Sequence, residues 1–215
     1  MEKYGTIPPR FTKAWWSHYW YYYKFHFIAI VCAIIMVASF IHHIVTEIHY
    51  DLKVQVIAST PILDESIELL NKKISELSAD VNENGKVETI VYHQPLLDTS
   101  PQNAEYLSAI GTKIMADLTI GDHYIYVGDK AFVENYGASG SFMPVSQWAG
   151  NISSDKIYND VAYSLSENAS FNDAGINPED LYIMVLHLYQ AKKDDAEEIK
   201  AHENALNTAL SLIKE

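Results

Sequence analysis

The 215-residue chain contains a single cysteine, Cys32, which lies in the middle of a long apolar stretch. No disulfide can therefore form within the rest of the chain, and the fold must depend on an ordinary hydrophobic core. About 165 residues follow the apolar stretch, which is enough for one domain with such a core. A thiol-free exported domain is more typical of a bacterial cell surface than of a eukaryotic secreted protein.

The sequence also lacks the short motifs of common catalytic sites. It contains no G-x-S-x-G, no H-E-x-x-H and no phosphate-binding glycine loop. Positive charge is scarce, because 15 Lys and Arg residues stand against 28 Asp and Glu residues, for a formal net charge of −13. An acidic surface argues against a nucleic-acid partner and against docking onto anionic lipid. We therefore expect a protein that is not an enzyme and has no organic cofactor.

The longest apolar run of the chain lies in residues 25–47, with no charged residue between Phe27 and Ile41. About 21 helical residues rise about 30 Å, which matches the hydrocarbon core of a bilayer. A helix is the only spanning form available to one isolated segment, because backbone groups in lipid must be satisfied internally. The run therefore predicts a transmembrane helix over residues 25–47 and an extracytoplasmic domain over residues 50–215.

The flanks of this run differ in charge and in aromatic content. Basic residues precede it, namely Lys3, Arg10, Lys13 and Lys24, whereas Glu47 and Asp51 follow it. The positive-inside rule then places residues 1–24 in the cytoplasm and the C-terminal domain outside the cell. Aromatic side chains before the span predict contact with lipid headgroups, either as a belt or as a short amphipathic helix on the inner leaflet; they are Trp15, Trp16, Tyr19 and Trp20.

Two other interpretations of the apolar run stay open. A cleaved signal peptide normally has a shorter apolar core and a small-residue cleavage site. A buried helix of a soluble protein would not require the aromatic belt or the charge asymmetry. The histidines near the ends of the run suit contact with headgroups, although a proton relay or a metal site is the alternative; they are His26, His42, His43 and His49.

Apolar periodicity divides the domain into strands that alternate with helices. The predicted strands are 51–58, 86–93, 123–127, 160–166 and 181–188, and the predicted helices are 61–79, 104–120, 130–135 and 194–214. Thr60 and Pro61 are expected to begin the first of these helices. Such alternation implies parallel βαβ units, so we predict a three-layer α/β sandwich with a mostly parallel sheet of about five strands.

Three segments carry a resemblance to a known family. They are Met115-Ala-Asp-Leu-Thr-Ile-Gly-Asp122, then Asp129-Lys-Ala-Phe-Val-Glu-Asn-Tyr136 after a tyrosine-rich strand, and Gly140-Ser-Phe-Met-Pro-Val-Ser-Gln-Trp148. This pattern resembles the first lobe of the type II extracellular solute-binding proteins of ABC importers. The resemblance implies a strand order of 2-1-3 with later strands added. The chain is too short for the family's second lobe, so the family's ligand site is not carried over.

One loop matches the first part of a calcium-binding motif. Its oxygen-bearing residues are Asp80, Asn82, Asn84 and Glu88, with Gly85 at the sixth position. The twelfth position is Val91, which cannot bind calcium. The alternative is an ordinary turn between a helix and a strand, where Asn and Gly are common. Calcium is therefore the only metal for which the sequence offers a motif.

Two further clusters are candidates for a site. His93 and His123 are each expected near the end of a strand, and Asp98 and Asp129 could join them around a metal. Aromatic residues after the third strand could line a groove for a partner or a sugar, or could simply form the core; they are Tyr124, Tyr126, Tyr136, Phe142, Trp148 and Tyr158.

Three hypotheses of function follow from these features. The first is a membrane-anchored, extracytoplasmic, non-enzymatic binding or scaffold module of the bacterial cell envelope. The second is an accessory subunit of a membrane transporter or export complex, which would make another membrane protein the partner. The third is a metal-dependent enzyme that uses His93 and His123. Because only about five residues separate the apolar run from the first strand, a partner in the same membrane is expected.

Overall fold

The computed structural model describes residues 8–46, 48–96, 104–150, 152 and 154–214. By their internal contacts, residues 1–48 form one unit and residues 49–215 form a second, compact unit. Asp98, which the sequence offered as a partner of His93 and His123, lies outside the described residues.

The first unit consists of one long helix, α1 (Lys13–Thr46). The hydroxyl of Thr12 accepts a hydrogen bond from the Trp15 amide at 3.2 Å and so caps its first turn. The helix is long and apolar enough to cross a membrane, and the residues of its most apolar window are exposed. The aromatic segment belongs to this same helix, so the separate amphipathic helix considered from the sequence is not formed.

The second unit is an α/β domain. Its described residues form these elements in chain order: β1 (Leu52–Ala58), α2 (Asp64–Leu77), β2 (Thr89–Pro95), α3 (Ala104–Ile120), β3 (Ile125–Asp129), α4 (Lys130–Tyr136), α5 (Val145–Trp148), β4 (Ile157–Tyr158), β5 (Ala162–Ser164), α6 (Ala169–Asp173), β6 (Leu181–Val185) and α7 (Ala196–Leu212). Short 3-10 turns lie at Gly137–Ser139, Ser154–Lys156 and Gln190–Lys192.

The six strands form one sheet in the order β2-β1-β3-β6-β5-β4. The β1–β2 and β1–β3 pairs are parallel, whereas the β3–β6, β5–β6 and β4–β5 pairs are antiparallel. The predicted α/β class is confirmed, but the prediction of a mostly parallel sheet is wrong, although the order 2-1-3 is present. A parallel crossover needs about a dozen residues and usually a full helix, and the helices between β3 and β6 are too short for that role.

Several predicted boundaries also shift. The helix α2 begins at Asp64 after the N-cap residue Leu63, not at Thr60 and Pro61, and no side chain caps it. The prediction missed the short elements α5, α6 and β4, because segments of two to five residues show no measurable periodicity. By contrast, β1, α3 and α4 lie within one residue of their predicted bounds.

The core lies between the sheet and the helices that pack on it. The helix α2 contacts both α6 and α7, so these three helices lie together. On α3, a Cβ added at Gly111 would lie 3.4 Å from the Tyr136 hydroxyl, so α3 packs beside α4. Buried branched side chains of the central strands fill the core, among them Val54, Val56, Ile125, Val127 and Ile183. This burial gives the sheet its main stabilisation.

Candidate functional site

The carboxyl ends of β1 and β3 are the first place to look for a site, because ligands of open α/β sheets bind where neighbouring crossovers diverge. There the carboxylate of Asp129, which is 8% exposed, accepts hydrogen bonds from the Ser59 amide at 2.7 Å and the Ser59 hydroxyl at 2.6 Å. It also caps α4 by accepting from the Phe132 amide at 2.9 Å. These bonds join the end of β1 to the start of α4, so Asp129 has a structural role.

Gly128 explains how α4 comes so close to this strand end. A Cβ at this position would lie 2.3 Å from Cδ1 of Phe132, a distance that real contacts do not reach. Glycine is therefore required by the close approach of the ring. Gly128 thus allows α4 to pack close to the end of β3, and Asp129 caps the same helix.

A partly exposed aromatic and charged cluster lies on α4, β4 and β6. The ammonium of Lys130 sits 5.6 Å from the ring centroid of Tyr158, and the rings of Tyr158 and Tyr182 are 5.4 Å apart. The hydroxyl of Tyr158 donates to Glu134 at 2.9 Å, and this hydrogen bond raises the pKa of the tyrosine. Tyr158 is thus a half-buried member of the predicted aromatic groove.

Most of the other aromatic residues of the predicted groove are buried. Tyr124, Tyr126, Phe142 and Trp148 are each 5% exposed or less, and Tyr136 is half-buried. The ring of Tyr126 stacks on Phe132 with centroids 6.3 Å apart, and Phe142 meets Tyr126 edge to face at 5.5 Å. This geometry is that of a packed aromatic core, which is the alternative that the sequence had left open.

The calcium-like residues lie together in one turn, where their oxygens bind backbone amides. The carboxylate of Asp80 accepts from the amides of Asn84 at 3.2 Å and Gly85 at 2.8 Å. The side-chain oxygen of Asn82 accepts from Asn84 at 3.0 Å, and that of Asn84 accepts from Lys86 at 2.8 Å. The turn is therefore closed by hydrogen bonds of its own, as expected for Asx turns.

Glu88 and Asp51 complete the surroundings of this turn. Glu88 accepts a hydrogen bond from the Asn84 amide group at 3.2 Å. Asp51, which is 3% exposed, accepts from the amides of Val81 and Asn82 through one oxygen and from the Glu88 amide through the other. This role of Asp51 was not predicted from the sequence. Its position just before a strand and beside a long turn was the available signal.

The two histidines proposed as metal ligands are not brought together. His93 is in register with Val56 and Val127, whereas Tyr92, whose ring meets His123 at 5.2 Å, is in register with Gln55 and Tyr126. Alternate residues of a strand point to opposite faces, so the histidine side chains lie on opposite sides of the sheet. Asp98 lies outside the described residues, and within the described ranges no group of three or more His, Cys, Asp or Glu side chains could hold a metal ion.

Burial shapes the electrostatics of both histidines. Burial is the main cause that lowers the pKa of His93 and of His123, against the opposing charges of Asp64 and Asp122 respectively. Nε2 of His93 and Nδ1 of His123 are buried and have no hydrogen-bond partner among the described residues. Each ring is therefore held neutral at physiological pH.

The predicted membrane-interface residues form a ladder of rings along the start of α1. The rings of Trp15 and Tyr19 stack with centroids 5.5 Å apart, and Tyr19 stacks on Tyr23 at 5.1 Å. Trp16 and Trp20 are more than half exposed. Spacings of four residues place the stacked rings on one face of the helix.

A second network that sequence reasoning missed joins α7 to the end of α3. The hydroxyl of Tyr124 donates to Glu198, whose carboxylate also pairs with Lys192 at 2.9 Å. Lys192 donates in turn to the carbonyl oxygen of Gly121 at 2.9 Å. Burial and the bond to Glu198 raise the pKa of Tyr124. This network orders the connection between β6 and α7.

No family model matches the chain, and neither a curated protein nor a solved structure matches it. The described residues define an α/β protein with a mixed six-stranded sheet and one long apolar N-terminal helix.

Proposed function

We propose that this chain is a membrane-anchored, extracytoplasmic, non-enzymatic binding or scaffold module of the bacterial cell envelope. The proposal rests on one observation above all, which is the division of the chain into an exposed apolar helix and a separate compact domain. An apolar helix that is exposed along its length needs a nonpolar surrounding, and a bilayer supplies one.

The ends of α1 support an orientation with the domain outside the cell. Arg10, Lys13 and Lys24 are on the N-terminal side of the apolar segment, and the exposed rings of Trp16 and Trp20 lie among them. Cations on the cytoplasmic side and amphipathic rings at the headgroups are the usual arrangement of a single-pass anchor. The acidic domain, in turn, is suited to solvent and not to an anionic lipid surface.

Cysteine labelling in intact cells tests this topology. In a Cys32→Ser background, the exposed residues Arg10 and Lys86 are replaced one at a time by cysteine and treated with a membrane-impermeant maleimide. Lys86→Cys should react in intact cells, whereas Arg10→Cys should react only after the membrane is opened. Reaction at Arg10→Cys in intact cells, or recovery of the protein in the soluble fraction, would contradict the proposal.

The polar ends of the parallel strands support a binding or scaffold role. The carboxylate of Asp129 is occupied by Ser59 and Phe132, and His93 lies apart from His123. The strand order β2-β1-β3 supports the resemblance to a solute-binding-protein lobe, in which the fold and not a catalytic site is shared. An activity screen on the purified full-length chain should therefore show no turnover of common ester, phosphate and glycoside substrates.

The length of α1 favours a second candidate, an accessory subunit of a membrane transporter or export complex. Its 34 residues rise about 50 Å, about 20 Å more than a bilayer core requires. The extra turns carry the stacked rings of Trp15, Tyr19 and Tyr23, which would suit packing against a neighbouring helix. Crosslinking in native membranes from a photoreactive group at Tyr19 should yield a protein adduct, and recovery of the free chain alone would remove this candidate.

A further inference from the structure

The strand β2 lies at one end of the sheet, with β1 on its inner side. In a parallel pair, alternate residues of a strand point their N–H and C=O groups toward the neighbour. The Leu96 amide donates to Ala58, and the Glu88 carbonyl accepts from Asp51. Even-numbered residues of β2 therefore bond to β1, and odd-numbered residues point their backbone groups to the outer edge, the side away from β1.

The two ends of this outer edge accept side-chain hydrogen bonds, whereas its centre makes none to the described residues. The Thr89 carbonyl accepts from the side-chain amide of Asn71 at 3.1 Å, and the Pro95 carbonyl accepts from the Tyr106 hydroxyl at 3.4 Å. Between them, the N–H and C=O groups of Val91 and His93 have no partner within the part of the chain that the structure describes. Four main-chain groups therefore stand in the spacing that an added strand would use.

The composition of β2 does nothing to protect this edge. Residues Thr89–Pro95 (TIVYHQP) contain no Lys, Arg, Asp or Glu, and Pro95 stands only at the end. Proteins normally protect an edge strand with charge, with a bulge, with internal proline or by making it very short. The opposite edge follows that rule, because β4 has 2 residues. The 7-residue β2 does not.

The charges around this edge indicate which kind of added strand would bind there. On α2, Asp64 lies close enough to His93 of β2 for its charge to act on that ring, and Glu68, one turn further along the helix, is exposed. Lys113 of α3 lies on the other side, where its ammonium binds Gln94 at 3.0 Å. The whole chain has a net charge of −13, and the residues after the apolar run carry 11 Lys and Arg against 26 Asp and Glu. A second acidic copy would be repelled, whereas a basic segment would be attracted.

We propose that the outer edge of β2 binds an extended, basic peptide segment by strand addition, through main-chain hydrogen bonds to Val91 and His93. This inference rests on the proposed function and names the class of partner that the binding module takes. Main-chain pairing supplies affinity in this mode of recognition, and the flanking carboxylates select lysine or arginine at alternate positions of the segment. The stretch between Asn71 and Tyr106 limits the paired part to a few residues.

Amide hydrogen exchange on the full-length protein in uncharged detergent micelles tests the proposal. The probe is a capped synthetic peptide, Lys-Val-Lys-Val-Lys, and its control is Glu-Val-Glu-Val-Glu. In the free protein, the amides of Val91 and His93 should exchange faster than those of Ile90 and Tyr92. The basic peptide should slow exchange at Val91 and His93 by about tenfold or more, and the acidic peptide should not.

Matched charge variants identify the contribution of the flanking helix. The double variant Asp64→Asn/Glu68→Gln should bind the basic peptide more weakly, with a dissociation constant raised by about threefold to tenfold. The control Glu65→Gln/Glu76→Gln changes two exposed carboxylates of the same helix and should alter the constant less than about twofold.

Three results would overturn the proposal. The first is unchanged exchange at Val91 and His93 at millimolar peptide, and the second is equal protection by the acidic peptide. The third is protection without peptide that grows with protein concentration, which would identify a second copy as the occupant. None of these results touches the maleimide labelling of Lys86→Cys, so failure here is distinguishable from failure of the proposed topology.

Discussion

Asp51 is the residue on which most of the local order at the start of the domain depends. Its two carboxylate oxygens accept three backbone amides, from Val81, Asn82 and Glu88, at 2.8 to 3.0 Å. Its carbonyl also accepts from the side chain of Asn204 on α7 at 3.2 Å. The buried side chain therefore joins the start of β1 to the turn before β2, and the main-chain carbonyl of the same residue joins it to the C-terminal helix.

Replacing Asp51 by asparagine should destabilise the domain. The amide group of Asn would face one of the three amide donors, so a buried N–H would lose its acceptor, at a cost of about 1–3 kcal/mol. Urea unfolding followed by circular dichroism measures the change in the free energy of unfolding. The control Asp194→Asn alters an exposed carboxylate and should change it by less than about 0.5 kcal/mol. Equal effects of the two variants would refute the role of Asp51.

The stability of the domain should fall as the pH is lowered below about 6.5. Burial lowers the pKa of His93, His123 and His202, so the unfolded chain binds protons in this range that the folded chain does not. Stability is therefore complete above the unfolded pKa and is lost as the pH falls through the lowered values. Thermal unfolding should show a decrease in Tm of about 2–5 °C over this range.

A pair of histidine variants checks the cause of that pH dependence. His202→Asn should reduce the decrease in Tm, because the His202 ring bonds the Leu186 carbonyl in a buried position. His49→Asn changes an exposed ring and should leave the decrease in Tm unchanged. The pKa of Asp122, which its ion pair with Lys53 lowers against the opposing effect of burial, contributes only at more acidic pH. A Tm that is constant or rises on acidification would contradict the prediction.

At the scale of elements, the helices α2 and α7, which contact each other, differ in how their N-termini are capped. The helix α7 is capped by Asp195, which accepts from the Glu197 amide at 2.9 Å and the Glu198 amide at 3.4 Å. The helix α2 begins after Leu63, a residue that offers no cap and is 74% exposed. The first amides of α2 therefore lack the side-chain acceptor that α7 has.

Cap substitutions should act in opposite directions on these two helices. Asp195→Ala should lower the free energy of unfolding by about 1 kcal/mol, and Leu63→Ser should raise it by about 0.5–1 kcal/mol. Leu63 loses little packing, because most of its side chain is in solvent. Urea unfolding of the two single variants measures both effects. A destabilising Leu63→Ser would show that this side chain packs on something important.

The β4–β5 hairpin contains a second local conflict between residue and backbone. Asn159 and Asp160 both adopt left-handed conformations, with φ of 50° and 60°. Glycine is preferred at the second of two such positions. The turn is kept because the Asp160 carbonyl accepts from Val145 at 2.7 Å and so ties the hairpin to α5.

Asp160→Gly should therefore stabilise the domain. Relief of the left-handed strain exceeds the added entropy of the unfolded chain, for a net gain of about 0.5–1 kcal/mol. The control Asp117→Gly makes the same change inside α3 and should cost about 1 kcal/mol. Both are read from thermal and urea unfolding. If Asp160→Gly lowers stability as much as the control does, the backbone explanation fails.

At the scale of the whole molecule, the two units should behave independently. Among the described residues, the buried core of the α/β domain is drawn from residues 52–212, and the apolar window of α1 is exposed. A protease site inserted between Ile48 and His49 should release the domain from membranes after cleavage. The released fragment should unfold in one cooperative transition, with a Tm within about 3 °C of the uncleaved chain. Aggregation or loss of the transition on release would show that the helix stabilises the domain.

The parts of the fold that the sequence predicted well are those with strong local periodicity. The runs 51–58, 104–120 and 194–214 have apolar residues at the spacing of a strand or of a helix, and the structure forms those elements there. The direction of β6 could not be predicted, because an apolar strand buried on both faces reads the same whether it pairs parallel or antiparallel with β3. For the aromatic residues, likewise, the sequence shows that the side chains are apolar but does not distinguish a buried core from an open groove.

The sequence by itself determined the long apolar helix, the acidic character of the domain and the class of its main elements, because hydropathy, charge and periodicity are local properties. Tertiary structure alone decided the mixed sheet, the burial of Tyr126 and the separation of His93 from His123. It also decided that the outer edge of β2 stays open in the described part of the chain. These features depend on which strands become neighbours, and that choice is made by long-range packing and short connections rather than by any one segment.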